Sequence, residues 1–309
     1  MDANGWAGLE VRHLAALVAV ADEGTFGAAA GRLGYTQAAV SQQIAALERI
    51  TGVTLLDRAP GRRPHGLTAA GRALHRHALA VLARVQSAQA DLAALEGERA
   101  GTLRLGTYAS VGARILPDVT RAFLAAWPDI EIHLTDGAND TELLPLVESG
   151  ELDISFAMLP VEDGPFEVVE ALRDPYVLVV PRESTLPGVL RPEDLAGLPL
   201  IGFRTCRHAA RVEAQLRARG VRPSTVFRSD DNGTVQGLVA AGIGHGLIPR
   251  LAADPTDPRT RILAVEGLAP RRLGIVRHRD RRVTPATRAY IELTVAHCER
   301  LAHSDRASP

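Results

Sequence analysis

Residues 36–49 read TQAAVSQQIAALER and have the pattern of a short amphipathic helix. Val40, Ile44 and Leu47 recur at intervals of four and three residues, which places them on one apolar face. A threonine just before this pattern suits the N-cap of the helix. The opposite face begins with hydroxyl and amide side chains: Thr36, Gln37, Ser41 and Gln42.

Two further helical patterns lie upstream of this segment. Leu14 and Leu17 share one helical face, and Gly24 ends that first pattern. Thr25 caps a second helix, which Gly34 terminates. The second and third helices, joined by a short turn that contains glycine, have the helix-turn-helix layout.

The polar start of the third helix suits recognition of DNA bases. Glutamine can make paired hydrogen bonds to adenine, and serine or threonine can pair with either kind of base edge. The positive end of a helix also favours a phosphate oxygen. Taken alone, this face is equally consistent with the solvated side of an ordinary helix.

Residues 53–67, VTLLDRAPGRRPHGL, break the helical pattern. Pro60 and Gly61 exclude a helix there, so we expect a small hairpin, or wing. Arginine can enter a narrow minor groove or pair with phosphates, and the candidates in the wing are Arg58, Arg62 and Arg63. The formal net charge of −1 does not indicate whether the protein binds nucleic acid. A general bias of the genome toward arginine explains the richness in arginine equally well.

A long helix is predicted from Thr68 to about Glu96. Its apolar positions alternate at intervals of four and three residues, as in a heptad seam: Leu74, Ala78, Val81, Val85, Ala88, Leu92 and Leu95. A single helix packed only on its own domain would drift toward a period of 3.6 residues. The pattern therefore favours a coiled coil between two copies over a helix packed only on its own domain, and the glycines at 97 and 101 mark a linker.

After residue 101 the pattern alternates between strands and helices, which predicts an α/β domain with largely parallel sheets. The expected strands are 102–106, 130–135, 152–158, 176–180, 199–203, 225–229, 245–248 and 273–277. The expected helices are 115–126, 142–149, 209–219, 235–241 and 285–301. Ligands of open α/β sheets bind at the carboxyl ends of the strands.

Residues 28–71 resemble the N-terminal domain of LysR-type transcriptional regulators. The shared features keep their spacing: Arg32-Leu33, Gln37, Val40-Ser41, Gln43-Ile44, Leu47-Glu48, Gly52, Leu55, Arg58, Leu67-Thr68 and Ala70-Gly71. The resemblance continues through GTLRLGTYAS at 101–110, Ile115-Leu116-Pro117, Trp127-Pro128, residues 150–153 and the glycine-rich residues 239–244.

The resemblance implies an N-terminal all-α winged helix-turn-helix and a C-terminal α/β two-lobed domain like a periplasmic binding protein, joined by a long coiled-coil linker helix. We therefore expect a DNA-binding domain at 1–66, a dimerisation helix at 67–100 and an effector-binding domain at 101–309. The first lobe would hold residues 101–173 and 271–303, and the second lobe residues 174–270.

The resemblance also implies a cleft between the lobes that binds a small-molecule effector. The matching cleft positions are Thr107, Ser110, Thr205, Cys206 and Asn232. Ser110 and Thr205 follow predicted strands, where hydroxyl groups can hold a carboxylate, although simple helix capping explains them equally well. Cys206 matches the reactive cysteine of peroxide-sensing members; without a nearby resolving cysteine, we expect it to line the pocket or to pack.

Two positions depart from the family pattern. Ala38 stands where proline or serine is frequent, and Gln42 stands where arginine or lysine is frequent. The missing cation would shift operator contacts toward the wing and the glutamines. The expected partners are double-stranded promoter DNA, the effector, a second copy in a dimer or tetramer, and RNA polymerase.

The sequence has no spacing typical of a metal site, a nucleotide loop or a nucleophile elbow, so neither cofactor nor catalysis is expected. It also has no signal peptide pattern and no long apolar segment, which favours a cytoplasmic protein without a membrane partner. Two other interpretations stay open on the C-terminal half alone. One is a solute-binding receptor, and the other is an α/β enzyme whose reactive cluster is not visible in the sequence.

Overall fold

The computed structural model describes residues 6–57, 66–95, 101–161, 163–204 and 207–307, without the side chains of 86–87, 90–95, 207–208 and 304–307. The chain forms two compact units. The first holds residues 1–97 with 149–151, and the second holds the remainder. The predicted wing arginines Arg58, Arg62 and Arg63 lie outside the described residues, as do Thr205 and Cys206.

Four helices build the first unit: α1 (Val11–Glu23), α2 (Phe26–Leu33), α3 (Gln37–Thr51) and α4 (Ala69–Leu95). Gly34 ends α2 in the left-handed region, at φ 68°, which a residue without Cβ adopts at little cost. The turn it makes leads directly into α3. The inner faces of the helices meet in one apolar core that includes Leu17, Ile44 and Leu47.

The base of the wing is anchored to α3 and α4. The Glu48 carboxylate accepts a hydrogen bond from the Leu55 amide at 2.8 Å, and Thr68 donates its hydroxyl to the Thr54 carbonyl at 2.7 Å. Leu56 and Leu67 form an antiparallel bridge. These contacts hold the base of the predicted hairpin against the end of α3.

The glycine at position 71 lets α4 approach the wing closely. A Cβ atom on Gly71 would lie 2.1 Å from the Leu55 carbonyl oxygen, far inside van der Waals contact. The Leu55 carbonyl also accepts the Thr68 amide at 2.9 Å, so it is not free to turn away. Only glycine fits at this position without a shift of the backbone.

We therefore expect Gly71→Ala to destabilise the first unit by about 1–3 kcal/mol, the usual cost of overpacking a closed site. The matched control is Gly31→Ala in α2, where a Cβ has open space around it. Removing a glycine from a helix there should leave stability unchanged or raise it. Urea unfolding of both variants measures the difference, and equal stability for the two would contradict the close approach.

The first part of the predicted seam packs into the chain's own core. This corrects the expectation that Leu74 and Ala78 contact a second copy. Leu74 is 7% exposed and Ala78 is fully buried, and both belong to the core of the first unit. Further along α4, Val81 is 42% exposed and Val85 is 36% exposed. A heptad pattern records apolar positions but does not tell which partner covers them. Here α1 covers the first turns of α4.

The second unit contains a five-stranded sheet in the order β2-β1-β3-β11-β4. Its strands are β1 (Gly101–Thr107), β2 (Ile130–Asp136), β3 (Ile154–Met158), β4 (Phe166–Asp174) and β11 (Arg271–His278). Helices α5 (Ala109–Arg114), α6 (Leu116–Ala126), α7 (Asp140–Ser149) and α10 (Pro285–Ala307) accompany it. Strands β1, β2 and β3 are parallel, whereas β11 runs antiparallel to both of its neighbours.

A six-stranded sheet forms the second lobe, in the order β6-β10-β5-β9-β7-β8. Its strands are β5 (Tyr176–Pro181), β6 (Val189–Leu190), β7 (Pro199–Gly202), β8 (Ser224–Arg228), β9 (His245–Pro249) and β10 (Thr260–Val265). The helices are α8 (Arg207–Ala218) and α9 (Asn232–Ala240). Both sheets are mixed, so the expectation of largely parallel sheets was wrong, and β4, β6 and β10 were missed.

The chain passes between the two lobes twice. Pro175 separates β4 of the first sheet from β5 of the second, and the return runs from β10 to β11. Because β4 and β11 pair along their length, with Asp174 opposite Arg271, the two crossings lie side by side. This pair of adjacent strands is the structural link between the lobes.

Candidate functional site

The start of α3 presents the side chains that the sequence singled out. The Thr36 hydroxyl accepts a hydrogen bond from the Ala39 amide at 3.2 Å and so caps the helix. Gln37, Ser41 and Gln42 are exposed, while Val40 on the opposite side is fully buried. The helix is therefore held by its inner face and its cap, and the polar side chains are free to contact another molecule.

A cleft with an empty volume of about 680 Å³ lies between the lobes of the second unit. Its walls are formed at one end of the strands in each sheet. Residues after β1, β2, β7 and β8 line it, as do the end of β3 and the start of β11. The antiparallel direction of β11 brings its first residues to the edge where the parallel strands end.

The structure separates the predicted effector residues into three groups. Ser110 and Asn232 line the cleft, from α5 and α9 respectively. Thr107 is 1% exposed and is not among the lining residues, which corrects the expectation for this position. Its hydroxyl is directed to the backbone and donates to the Tyr108 carbonyl at 3.3 Å. Thr205 and Cys206 cannot be placed, because they lie outside the described residues.

A buried ion pair at the cleft, between Arg271 and Asp174, was missed by sequence reasoning. Their side chains are 5% and 1% exposed. The Arg271 guanidinium donates from Nε and Nη2 to Asp174 Oδ2, and Nη2 also donates to the Ser110 hydroxyl at 3.1 Å. Asp174 Oδ1 accepts the Leu251 amide of the second lobe at 3.1 Å. One carboxylate thus joins β11, β4 and the second lobe.

Tyr108 and Asp140 form a second polar contact in the cleft wall that the sequence did not single out. The Tyr108 hydroxyl donates to Asp140 Oδ1, which also accepts the Met158 amide at 3.2 Å. Burial, together with the neighbouring Asp140 carboxylate, raises the pKa of Tyr108 far above its ordinary value. The phenol therefore stays protonated and keeps donating to Asp140.

Two arginines link the lobes away from the crossing strands. Arg114 of α5 donates to the Ala253 carbonyl at 2.8 Å and to Asp254 at 2.9 Å. This hydrogen bond from Arg114 is the largest contribution that lowers the pKa of Asp254 to about 2. On α8, Arg211 donates to the Leu159 carbonyl at 2.6 Å. Opening the cleft requires these contacts to break or move.

Comparison with family models assigns both parts of the chain. Residues 11–72 match the model described as bacterial regulatory helix-turn-helix protein, lysR family. Residues 96–299 match the LysR substrate binding domain. The second match alone covers about two thirds of the 309 residues.

Curated relatives agree with this assignment. The chain is 33% identical to the HTH-type transcriptional regulator ShiR of Corynebacterium glutamicum, over 83% of this chain and 79% of ShiR. It is 32% identical to the HTH-type transcriptional regulator CbbR of Rhodospirillum rubrum, over 84% and 86% of the two chains. This chain belongs to the LysR family of transcriptional regulators. It is accordingly a DNA-binding regulator and not an enzyme.

Solved structures show the same fold as this LysR-family regulator. Full-length CbnR in complex with its target DNA aligns with a TM-score of 0.71 at 24% identity, covering 94% of this chain and all of CbnR. A full-length OxyR variant from Pseudomonas aeruginosa aligns with a TM-score of 0.71 at 22% identity, covering 94% and 97% of the two chains. At these identities the likeness establishes the two-lobed fold and not the ligand.

Among the residues that the structure describes, no group of three His, Cys, Asp or Glu side chains is placed to hold a metal ion. Cys298 is buried, and burial raises its pKa to about 12, so its thiol stays protonated and unreactive. None of the described helices has the length and apolarity needed to cross a membrane.

We expect Asp174→Asn to destabilise this regulator by about 3–5 kcal/mol, because it leaves the Arg271 cation buried without its counter-charge. The matched control is Glu170→Gln, on the same strand, which breaks the ion pair with Arg272. That pair is solvent-exposed, so we expect almost no change in the free energy of unfolding. If urea unfolding gives the same result for both variants, the buried pair does not hold the lobe junction together.

Proposed function

We propose that this LysR-family regulator reads promoter DNA with the first turns of α3, acts as a dimer through α4, and responds to a small molecule bound in the cleft. The observation that carries the proposal is the exposed polar start of α3 on a helix whose inner face is fixed in the core. The solved complex of CbnR with its target DNA, a relative of the same fold, supports the same use of this unit.

In this proposal Gln37, Ser41 and Gln42 face base edges in the major groove. Thr36 keeps its capping bond and offers its hydroxyl hydrogen to a phosphate. Gln42 carries no charge where the family often has a cation, so Gln37 takes a larger share of sequence recognition. The wing arginines Arg58, Arg62 and Arg63 are proposed to contact the DNA backbone or the minor groove.

The proposed dimer contact is the seam beyond the part of α4 that packs on α1. Val81, Val85 and Ala88 are exposed there, and the heptad spacing continues to Leu92 and Leu95. A two-fold pair would present two copies of α3 to the half-sites of a pseudo-palindromic operator. By family resemblance we further propose that dimers associate into a tetramer.

The proposed effector site is the interlobe cleft, with Ser110 and Asn232 among its contacts and Thr205 and Cys206 as further candidates. An effector shifts the regulator only as far as it binds one lobe arrangement better than another. The contacts made by Arg114 and Arg211 between the lobes are the interactions that such a shift would change.

The finer organisation follows from the same proposal. We place the DNA-binding domain at 1–66, the dimerisation helix at 67–100 and the effector-binding domain at 101–309. The lobes then divide near residues 174 and 270, where the chain crosses between sheets. A regulator of promoters would act in the cytoplasm, with RNA polymerase as a further partner.

We expect Gln37→Ala to weaken binding to the cognate operator by about 1–3 kcal/mol, the usual value of a paired amide contact to a base. Binding to random DNA should hardly change, because phosphate contacts dominate there. Gln89→Ala is the matched control, since Gln89 is exposed on α4 and distant in sequence from the reading helix. Fluorescence anisotropy on both DNAs measures the effect, and equal losses on the two would remove Gln37 from base recognition.

We expect the double substitution Val81→Asp and Val85→Asp to yield monomers, because four carboxylates would meet at one apolar seam. Both side chains are exposed within the chain, so the fold itself should survive. Arg76→Asp, at an exposed position outside the seam, is the control for added negative charge. Light scattering reports the mass, and an unchanged dimer mass for the double variant would refute the seam.

A further inference from the structure

The corner between α2 and α3 closes with the hydrogen bonds of a Schellman motif. The Tyr35 amide donates to the Ala30 carbonyl at 2.9 Å, and the Gly34 amide donates to the Gly31 carbonyl at 3.4 Å. Gly34 lies in the left-handed region on one side of Tyr35, and Thr36 caps α3 on the other. The backbone therefore fixes the point from which the Tyr35 side chain leaves the corner.

The local fold does not explain the phenol of Tyr35. The residue at this place in the motif is frequently apolar and packs against the last turn of the preceding helix. The corresponding residue of α2 is Ala30, whose single methyl group covers little of a tyrosine ring, and Tyr35 stays 48% exposed. No described residue is hydrogen-bonded to its hydroxyl. A large side chain is thus left in solvent with a polar tip that can donate to another molecule.

The charged side chain nearest to Tyr35 in the sequence already has acidic partners. Arg32 donates to Asp22 Oδ2 at 2.8 Å and lies 3.5 Å from Glu23 Oε1. To contact a phosphate, Arg32 would have to give up these carboxylates. The start of α3 offers no replacement, because residues 37–42 contain no cation. A hydroxyl donor at Tyr35 therefore supplements a reading helix that begins without a positive side chain.

We propose that the Tyr35 hydroxyl donates a hydrogen bond to a phosphate oxygen of the operator backbone. On DNA, the first residues of the second helix in a helix-turn-helix face base edges, and the first helix crosses the backbone. Tyr35 joins these two helices and stands two residues before Gln37, at the place where the groove meets the backbone. Tyrosine is one of the side chains that bind phosphates in such complexes. The proposal rests on α3 being the reading helix, and it adds a contact that sets the register of this helix.

A hydroxyl that donates to a phosphate differs measurably from the other contacts of this unit. Phosphate oxygens are alike at every base pair, so the contact contributes to the binding of any sequence. The steepness of the salt dependence counts the phosphates that cationic side chains neutralise. Because a hydroxyl adds no positive charge, its loss should lower the affinity without changing that steepness. Gln37 is expected to differ, since its loss affects the operator alone.

The substitution Tyr35→Phe tests the contact, because it removes the hydroxyl and keeps the ring and the backbone. Fluorescence anisotropy on the full chain compares two duplexes across a salt series: DNA from immediately upstream of its own gene, and random DNA. The variant should bind both more weakly, by about tenfold for each Tyr35 that contacts the duplex, since a hydrogen bond to a charged group is lost. The slope of affinity against salt should match that of the unmodified chain.

Two controls connect the effect to one hydroxyl and one phosphate. Thr141→Val removes an exposed hydroxyl from α7 in the second unit, so it should bind both duplexes as the unmodified chain does. In the upstream duplex, single phosphates are replaced in turn by neutral methylphosphonates. At the phosphate that Tyr35 contacts, the replacement should weaken the unmodified chain more than Tyr35→Phe, because the variant has already lost that hydrogen bond.

Three results would overturn the proposal: an unchanged affinity of Tyr35→Phe for both duplexes, a loss confined to the upstream duplex, or a shallower salt dependence. The second result would assign the hydroxyl to a base, and the third would mean that a charged contact was lost instead. If the unmodified chain binds both duplexes equally, the proposed reading of the upstream DNA fails, and the loss on random DNA still decides on Tyr35. If it binds neither, the proposed function and the Tyr35 contact are both rejected.

Discussion

The buried ion pair between Asp174 and Arg271 is the interaction on which the second unit depends. Each lobe has its own sheet and core, and within the described residues the chain crosses between them at two adjacent strands. The pair sits at these crossings, with one carboxylate oxygen bonded to Arg271 and the other to the second lobe. Isolated buried charges are costly, so the two side chains stabilise the junction only while both are present.

A small set of contacts also positions α3, the helix proposed to read DNA. The inner residues of α3 are fully buried, and the Glu48 carboxylate ties its far end to the base of the wing. The close approach at Gly71 then sets how α4 leaves this unit. The helix α3, the base of the predicted wing and α4 therefore share one core, so in the proposed dimer α4 would set the spacing between the two copies of α3.

Local patterns in the sequence were sufficient to predict the first three helices. The caps at Thr25 and Thr36, the glycine stops and the apolar spacing of α3 all act within a few residues, and the structure has them as expected. The seam on α4 was predicted less well. The same heptad pattern covers Leu74, which α1 buries, and Val81, which remains exposed, because spacing alone does not identify the covering partner.

The cleft needed information that no local pattern carries. The family resemblance named Ser110 and Asn232, and both line the cleft. The rule that ligands lie at the carboxyl ends of parallel strands points to the same place. It missed Arg271, because that residue begins a strand that runs antiparallel to its neighbours and so reaches the same edge from the other end. Strand β4 was missed since much of its surface is exposed and its sequence is rich in acids.

The most direct test of the account is the binding of the purified chain to DNA from immediately upstream of its own gene. Fluorescence anisotropy compares this DNA with a scrambled sequence across a salt series. The account predicts a preference for the upstream DNA with Kd values of roughly 10 nM or tighter, and a steep loss of affinity with salt. Equal, weak binding to both DNAs at low salt would contradict sequence-specific reading by α3 at that site.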